Sequence, residues 1–167
     1  MADDSLRSLA TAVLDACRAK GLRLATAESC TGGMVAAALT DIPGSSDIVE
    51  RGLVTYSNDA KSELLGIPPT VIKQHGAVSA EVAGAMATGA LARAPVELAV
   101  GITGIAGPGG GSPEKPVGLV WFGIAVKGAQ AKTESQIFRG DRAAVRIAAT
   151  RRALELLLGA AKASKGR

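Results

Sequence analysis

Residues 25–34 read A-T-A-E-S-C-T-G-G-M. Ser29, Cys30 and Thr31 set three nucleophile-type side chains in succession, and Gly32 and Gly33 follow at once. A hydroxyl or thiol attacks a carbonyl carbon when a base takes its proton and donors receive the charge left on oxygen. Apolar sequence on both sides places the three at a corner, between a strand ending near Ala27 and a helix expected over 32–40. Side chains at such a corner project past the sheet, and the first N–H groups of a helix lack partners inside it. The corner therefore offers a nucleophile beside an oxyanion hole at Cys30, Thr31, Gly32 and Gly33. Two plainer readings stand next to this one. Ser29 or Thr31 caps the helix, or the backbone cradles a phosphate, although the G-x-x-x-x-G-K-[ST] order of a P-loop is missing.

A catalytic serine needs a base. His75 is the single histidine; it precedes a glycine in an expected loop, and nothing nearby supports a Ser-His-Asp triad. Lys61, in T-Y-S-N-D-A-K (55–61), is the alternative. A lysine acts as a base only when neutral, which burial or a neighbouring positive charge brings about. Lys61 follows a second expected strand, at the carboxyl end where α/β sites form; taken alone it reads as a solvated helix lysine. Cys30 rivals Ser29, because a thiol at a helix start can have a lowered pKa, and otherwise packs as a small buried residue. The run G-I-A-G-P-G-G-G-S-P-E-K-P (104–116) follows a buried strand. Thr103 and Gly104 join it directly to that strand as a fixed pocket wall, and backbone around Gly107 can receive a phosphate. Asp141, Arg142 and Arg146 open the last helix, where an arginine can hold a phosphate or a carboxylate.

These groups must be positioned by regular elements. Leu6, Leu9, Val13, Leu14 and Cys17 recur at helical spacing and predict a helix over 4–20, stopped by Gly21. Residues 22–27 and 51–56 read as strands. Asn58 or Asp59 caps a short helix holding Lys61 to Leu65, which Gly66 ends. Pro68 and Pro69 open another, closing near His75. Ser79 caps a helix over 80–93. Residues 96–102 read as a central buried strand, 117–126 and 132–138 as an antiparallel pair, and 142–158 as the final helix with Asp141 as cap. The alternation predicts an α/β class: a three-layer α/β/α single domain with a mixed, mostly parallel sheet.

Composition bounds the rest. A chain of 167 residues suits one core, expected over about 8–158, with 159–167 as a basic tail. Aromatics make up 2%, so the core must be built from Ala, Val, Leu and Ile. The 21 glycines favour tight turns and close approach of backbone to a ligand. The formal charge is +4, but Lys162, Lys165 and Arg167 lie in the tail. Only Trp121, Tyr56, Phe122 and Phe138 are present to stack on bases, so no nucleic-acid partner is expected. Cys17 and Cys30 lack metal spacing, and no signal peptide or membrane-length apolar run is visible; a reducing cytoplasm and no membrane partner are expected. Chains of this size and class often pair, so a homodimer or higher homo-oligomer is expected, with strand 117–126 near the interface.

Five motifs in order, A-E-S-C-T-G-G, G-S-S-D-I-V-E-R-G-L-V-T-Y-S-N-D-A-K, H-G-A-V-S, G-I-T-G-I-A-G-P-G-G-G-S-P-E-K-P-V-G and G-D-R, resemble the CinA C-terminal domain family over about residues 8–158. The chain looks like the stand-alone form, without the molybdopterin-binding-like domain of longer members. The resemblance implies a nicotinamide-nucleotide amidohydrolase that turns nicotinamide mononucleotide and water into nicotinate mononucleotide and ammonia, recycling a by-product of NAD-consuming DNA ligase. It implies a serine and lysine pair with no metal or cofactor. Carried onto this sequence, Ser29 is the nucleophile and Lys61 the base, with Tyr56 beside them; Ser46, in the G-S-S stretch, is a further residue within reach. The substrate's phosphate is expected at the 104–112 loop or at Arg142. The alternatives are a non-catalytic nucleotide-binding module and the DNA-linked competence factor of the family's historical name.

Overall fold

Small and large residues alternate along the strands, and this alternation builds the layers. In the computed structural model, which describes residues 3–167, five strands form one sheet in the order β2-β1-β3-β4-β5. They are β1 (Leu24–Glu28), β2 (Val49–Val54), β3 (Leu98–Gly104), β4 (Leu119–Val126) and β5 (Lys132–Ile137). β2, β1 and β3 run parallel, while β4 and β5 continue the sheet antiparallel. The class, the mixed sheet with its parallel part at β2-β1-β3 and the antiparallel last pair are as expected.

On one face Leu24, Leu98, Val100, Ile102, Val120 and Phe122 meet the buried sides of α1 (Asp4–Ala19), α2 (Met34–Thr40) and α6 (Arg142–Ala163). On the other, Ala25, Ala27 and Ala99 meet α3 (Asn58–Leu65), α4 (Pro69–His75) and α5 (Ala80–Arg93). Gly101 and Gly123 are register partners on this second face. A Cβ on either would stand 2.7 or 2.2 Å from the Ala83 carbonyl oxygen, so α5 rests on bare backbone. Aliphatic bulk on one face, and alanine and glycine beneath α5 on the other, explain how the chain packs a core with so few aromatics.

Several boundaries differ from expectation for local reasons. α2 begins at Met34, not residue 32, because Gly32 (φ 59°) and Gly33 (φ 104°) are left-handed. The cap of α3 is Ser57, whose hydroxyl accepts from Ala60 N–H, not Asn58 or Asp59. Strand β2 lies at 49–54 rather than 51–56, after an unexpected 3-10 turn at Ser45–Asp47. The last helix continues past residue 158 to Ala163, with Ala161 fully buried. Lys20 Nζ donates to the Lys162 and Ser164 carbonyls, and Arg167 N–H donates to the Lys20 carbonyl. β4 is an interior strand, hydrogen-bonded on both sides; the sheet edges are β2 and β5.

Candidate active site

β1 leaves the sheet at Glu28, and the next residue is Ser29. Strand alternation turns Glu28 toward α2 and Ser29 toward α3. The consequence for Glu28 is direct: its two carboxyl oxygens accept from Val35 N–H (2.9 Å) and Ala36 N–H (3.1 Å). The side chain is buried, so a residue of the strand closes the start of α2. Neither Ser29 nor Thr31 caps that helix, and its first turn is not open to an outside anion.

Ser29 meets Lys61. The N–H at Lys61 donates to the Ser57 carbonyl one turn back in α3, and Gly66 ends that helix in a left-handed conformation (φ 68°). Lys61 is 1% exposed, yet its Nζ donates to Ser29 Oγ at 3.1 Å and to the Thr55 carbonyl at 3.0 Å. No carboxylate is among these partners. Burial lowers the Lys61 pKa below the usual lysine value, and the neighbouring Cys30 opposes this weakly. A buried lysine without a counter-ion is held toward its neutral form, which is what proton abstraction from a hydroxyl requires. Cys30 goes the other way: burial pushes its thiol up to about 11. It is therefore a thiol, not a thiolate, at neutral pH, and makes the poorer nucleophile. His75 ends α4, with Nδ1 3.6 Å from a Glu81 carboxyl oxygen, and is not part of the pocket wall.

A pocket of about 220 Å³ opens over the pair, walled by Ser29, Cys30, Tyr56, Lys61, Thr103, Gly104 and Arg142, with Asn58, Ala77, Val78 and Ala106 completing it. It lies between the carboxyl ends of β1 and β3. The chain leaves β1 toward β2 on one side and returns to β3 on the other, so this is a topological switch point. Thr103 Oγ1 donates to the Ala77 carbonyl and ties β3 to the approach of α5. Arg142, in the first turn of α6, donates to the Gly107 carbonyl and to Tyr56 Oη, each at 2.8 Å. A cation thus sits at the mouth, across the pocket from the amine.

Of the residues expected at the site, Ser29, Lys61, Tyr56, Cys30, Thr103, Gly104 and Arg142 come together. Thr31 is fully buried, with a hydroxyl that finds no partner among the described residues, and lies outside the wall. Gly32 and Gly33 face Arg146 and Val54. Gly107 contributes its carbonyl to Arg142 rather than a wall, and Ser46 is exposed on the 3-10 turn. The expected row of oxyanion donors is shortened, because Gly32 N–H donates to the Ser29 carbonyl at 2.9 Å. The N–H groups of Cys30, Thr31 and Gly33 have no backbone acceptor among the described residues. Asn58 was not anticipated, although it precedes Lys61 by one helical turn and so shares its face. A larger apolar hollow of about 650 Å³ lies between β4–β5 and α6 and includes none of these groups.

Comparison with known proteins gives the family. The model of the CinA C-terminal domain matches residues 6–161. The nicotinamide-nucleotide amidohydrolase PncC of Escherichia coli K12 is 52% identical over 94% of this chain and 95% of its own length. A CinA-like protein of Akkermansia muciniphila is 50% identical over 92% of this chain, which spans only 37% of that longer relative. The crystal structure of the competence/damage inducible protein CihA from Agrobacterium tumefaciens superposes with a TM-score of 0.90 at 45% identity, covering 92% of this chain and 94% of that one. On sequence and on fold alike, the chain belongs to the CinA C-terminal domain family.

Proposed function

We propose that this chain is a nicotinamide-nucleotide amidohydrolase, releasing ammonia from the carboxamide of nicotinamide mononucleotide by a serine-lysine mechanism. The observation that carries this reading is the Lys61 amine, buried and without a carboxylate partner, 3.1 Å from Ser29 Oγ. Relatives named for that reaction at 52% identity over nearly the whole chain supply the substrate.

Ser29 Oγ attacks the carboxamide carbon while neutral Lys61 takes the hydroxyl proton. The tetrahedral oxyanion is received by free N–H groups at the corner. Lys61-H⁺ then gives its proton to the departing amide nitrogen, the C–N bond breaks, and ammonia leaves an acyl-serine. Water, activated by the same amine, hydrolyses the ester to the carboxylate and restores Ser29. Thr55 holds Nζ through its carbonyl, leaving the lone pair for serine. The pyridine ring occupies the pocket, and the nucleotide phosphate meets Arg142 at its mouth. The free, buried cysteines suit a reducing compartment, and we place the reaction in cytoplasmic pyridine-nucleotide recycling.

The test is ammonia release from nicotinamide mononucleotide by purified protein, beside Ser29→Ala and Lys61→Ala, with a circular dichroism check on each. Release by wild type and loss of at least a thousandfold in both variants is expected. Folded wild type that binds the nucleotide without releasing ammonia would leave a binding module in place of the enzyme.

A further inference from the structure

Ser29 and Thr103 are neighbours across the end of the sheet. The β1–β3 register pairs Ala27 with Gly101 and Glu28 with Ile102. Ser29 N–H donates to the Ile102 carbonyl at 2.9 Å, which carries the parallel ladder one step further and sets Ser29 beside Thr103. Side chains alternate along each strand, so both residues point to the face that α3 and α5 cover. Neighbouring strands stand about 4.8 Å apart, so a carboxamide placed for attack by Ser29 Oγ has Thr103 at its flank. Thr103 and Lys61 are each 1% exposed, and both line the pocket together with Ser29.

The Thr103 hydroxyl has one proton, and that proton is committed. Oγ1 donates to the carbonyl of Ala77, another residue of the pocket wall, at 2.8 Å. A carbonyl cannot donate, so chemistry fixes the direction of this bond. Nothing among the described residues donates to Thr103 Oγ1 in return. The hydroxyl therefore meets a ligand only through its lone pairs, as an acceptor. A carboxamide brings an N–H₂ donor and an acceptor oxygen, whereas the carboxylate made from it brings acceptors alone. Thr103 has a partner in the amide and none in the acid.

We propose that Thr103 is the residue that distinguishes amide from acid. Its Oγ1 accepts a hydrogen bond from the carboxamide N–H₂, which turns that nitrogen toward β3 and the carboxamide oxygen toward the free N–H groups of the serine corner. Once ammonia has left, the same lone pair opposes the carboxylate and favours its release. The inference deepens the amidohydrolase reading and rests on it. One hydroxyl thus orients the substrate and disfavours the product. Thr103 neither takes nor gives a proton; Lys61 remains the group that protonates the departing nitrogen.

Thr103→Val keeps the shape and removes the acceptor, and Thr103→Ser keeps the hydroxyl; if the valine variant does not fold, Thr103→Ala supplies the same comparison. The first measurement is kcat/KM for nicotinamide mononucleotide and for the methyl ester of nicotinate mononucleotide, which offers a cleavable carbonyl with no N–H. Thr103→Val is expected to lose about thirtyfold on the amide, the scale of one hydrogen bond, and to stay within about threefold on the ester. Thr103→Ser restores most of the amide rate. The second measurement is calorimetric binding of nicotinamide mononucleotide and nicotinate mononucleotide to Ser29→Ala protein. The amide is expected to bind more tightly than the acid, and Thr103→Val in that background to close most of the gap. Equal losses on amide and ester would mark Thr103 as a tether for Ala77 alone. That result, or an amide preference unchanged by Thr103→Val, would overturn the proposal and leave the hydrolase standing. Wild type that binds the nucleotide but releases no ammonia would sink the hydrolase reading, and the binding ratio would still decide Thr103. Wild type that neither binds nor cleaves nicotinamide mononucleotide would overturn that reading and this inference together.

Discussion

In the proposed mechanism Lys61 is the base, and its burial carries a cost in stability. That mechanism uses the neutral amine, and burial lowers its pKa from the ordinary 10.5. Activity should therefore rise with pH through that lowered value, and a kcat/KM profile between pH 5 and 11 should show the rising limb below the ordinary lysine range. A limb starting only near pH 10.5 would exclude a tuned base. The same shift acts on folding. The unfolded chain protonates Lys61 at neutral pH more readily than the folded chain does, so the contribution of this group is present above pH 10.5 and is lost as pH falls through the folded value. Lys61→Met removes the buried amine and leaves the Thr55 carbonyl without its donor. The first effect outweighs the second, so this variant should be inactive yet melt about 2–4 °C higher, equivalent to about 1 kcal/mol in a chain of this size. Differential scanning calorimetry checks the sign.

The elements were largely legible because their periods and stops are explicit. The heptad-like spacing of Leu6 to Cys17, the Ser79 cap and the apolar run before Thr103 all fall where the structure has α1, α5 and β3. What escaped were contacts between elements far apart in sequence. Strand alternation alone hints that Glu28 faces the side of Leu24, but only the fold reveals that α2 is waiting there. Its capping role makes a prediction at this scale. Glu28→Ala strands the Val35 and Ala36 N–H groups in a buried setting and should cost about 3 kcal/mol, with Glu28→Gln intermediate. Urea unfolding should show the midpoint falling in that order. Arg146 escaped for the same reason: guanidinium at a helix start suggests an anion, and nothing local announces that it donates to the Cys30 and Thr31 carbonyls across the molecule. Ser29, Lys61 and Tyr56 were legible as a group through the motifs in which they stand, while the place of Thr31 inside the core, away from the pocket, was not.

Across the whole molecule, Arg142 is where three distant segments meet: the start of α6, Tyr56 after β2, and the Gly107 turn after β3. The pocket mouth is therefore a property of the assembled sheet and not of any one loop. Arg142→Ala should raise KM for nicotinamide mononucleotide about tenfold or more, by removing a charge-assisted contact, while kcat for bound substrate changes much less; initial-rate kinetics separate the two. The sheet itself has two unequal faces, one dense with aliphatic side chains and one nearly bare beneath α5. A substitution library over all strand positions would find two opposite grammars. The positions at Leu98, Val100, Ile102 and Phe122 would reject truncation, since each leaves a void. Those at Ala99, Gly101, Gly123 and Ala125 would reject enlargement, since each added carbon lifts α5 off the sheet. Variation in this chain is thus confined from below on one side and from above on the other, with the Ser29 corner at the seam between them.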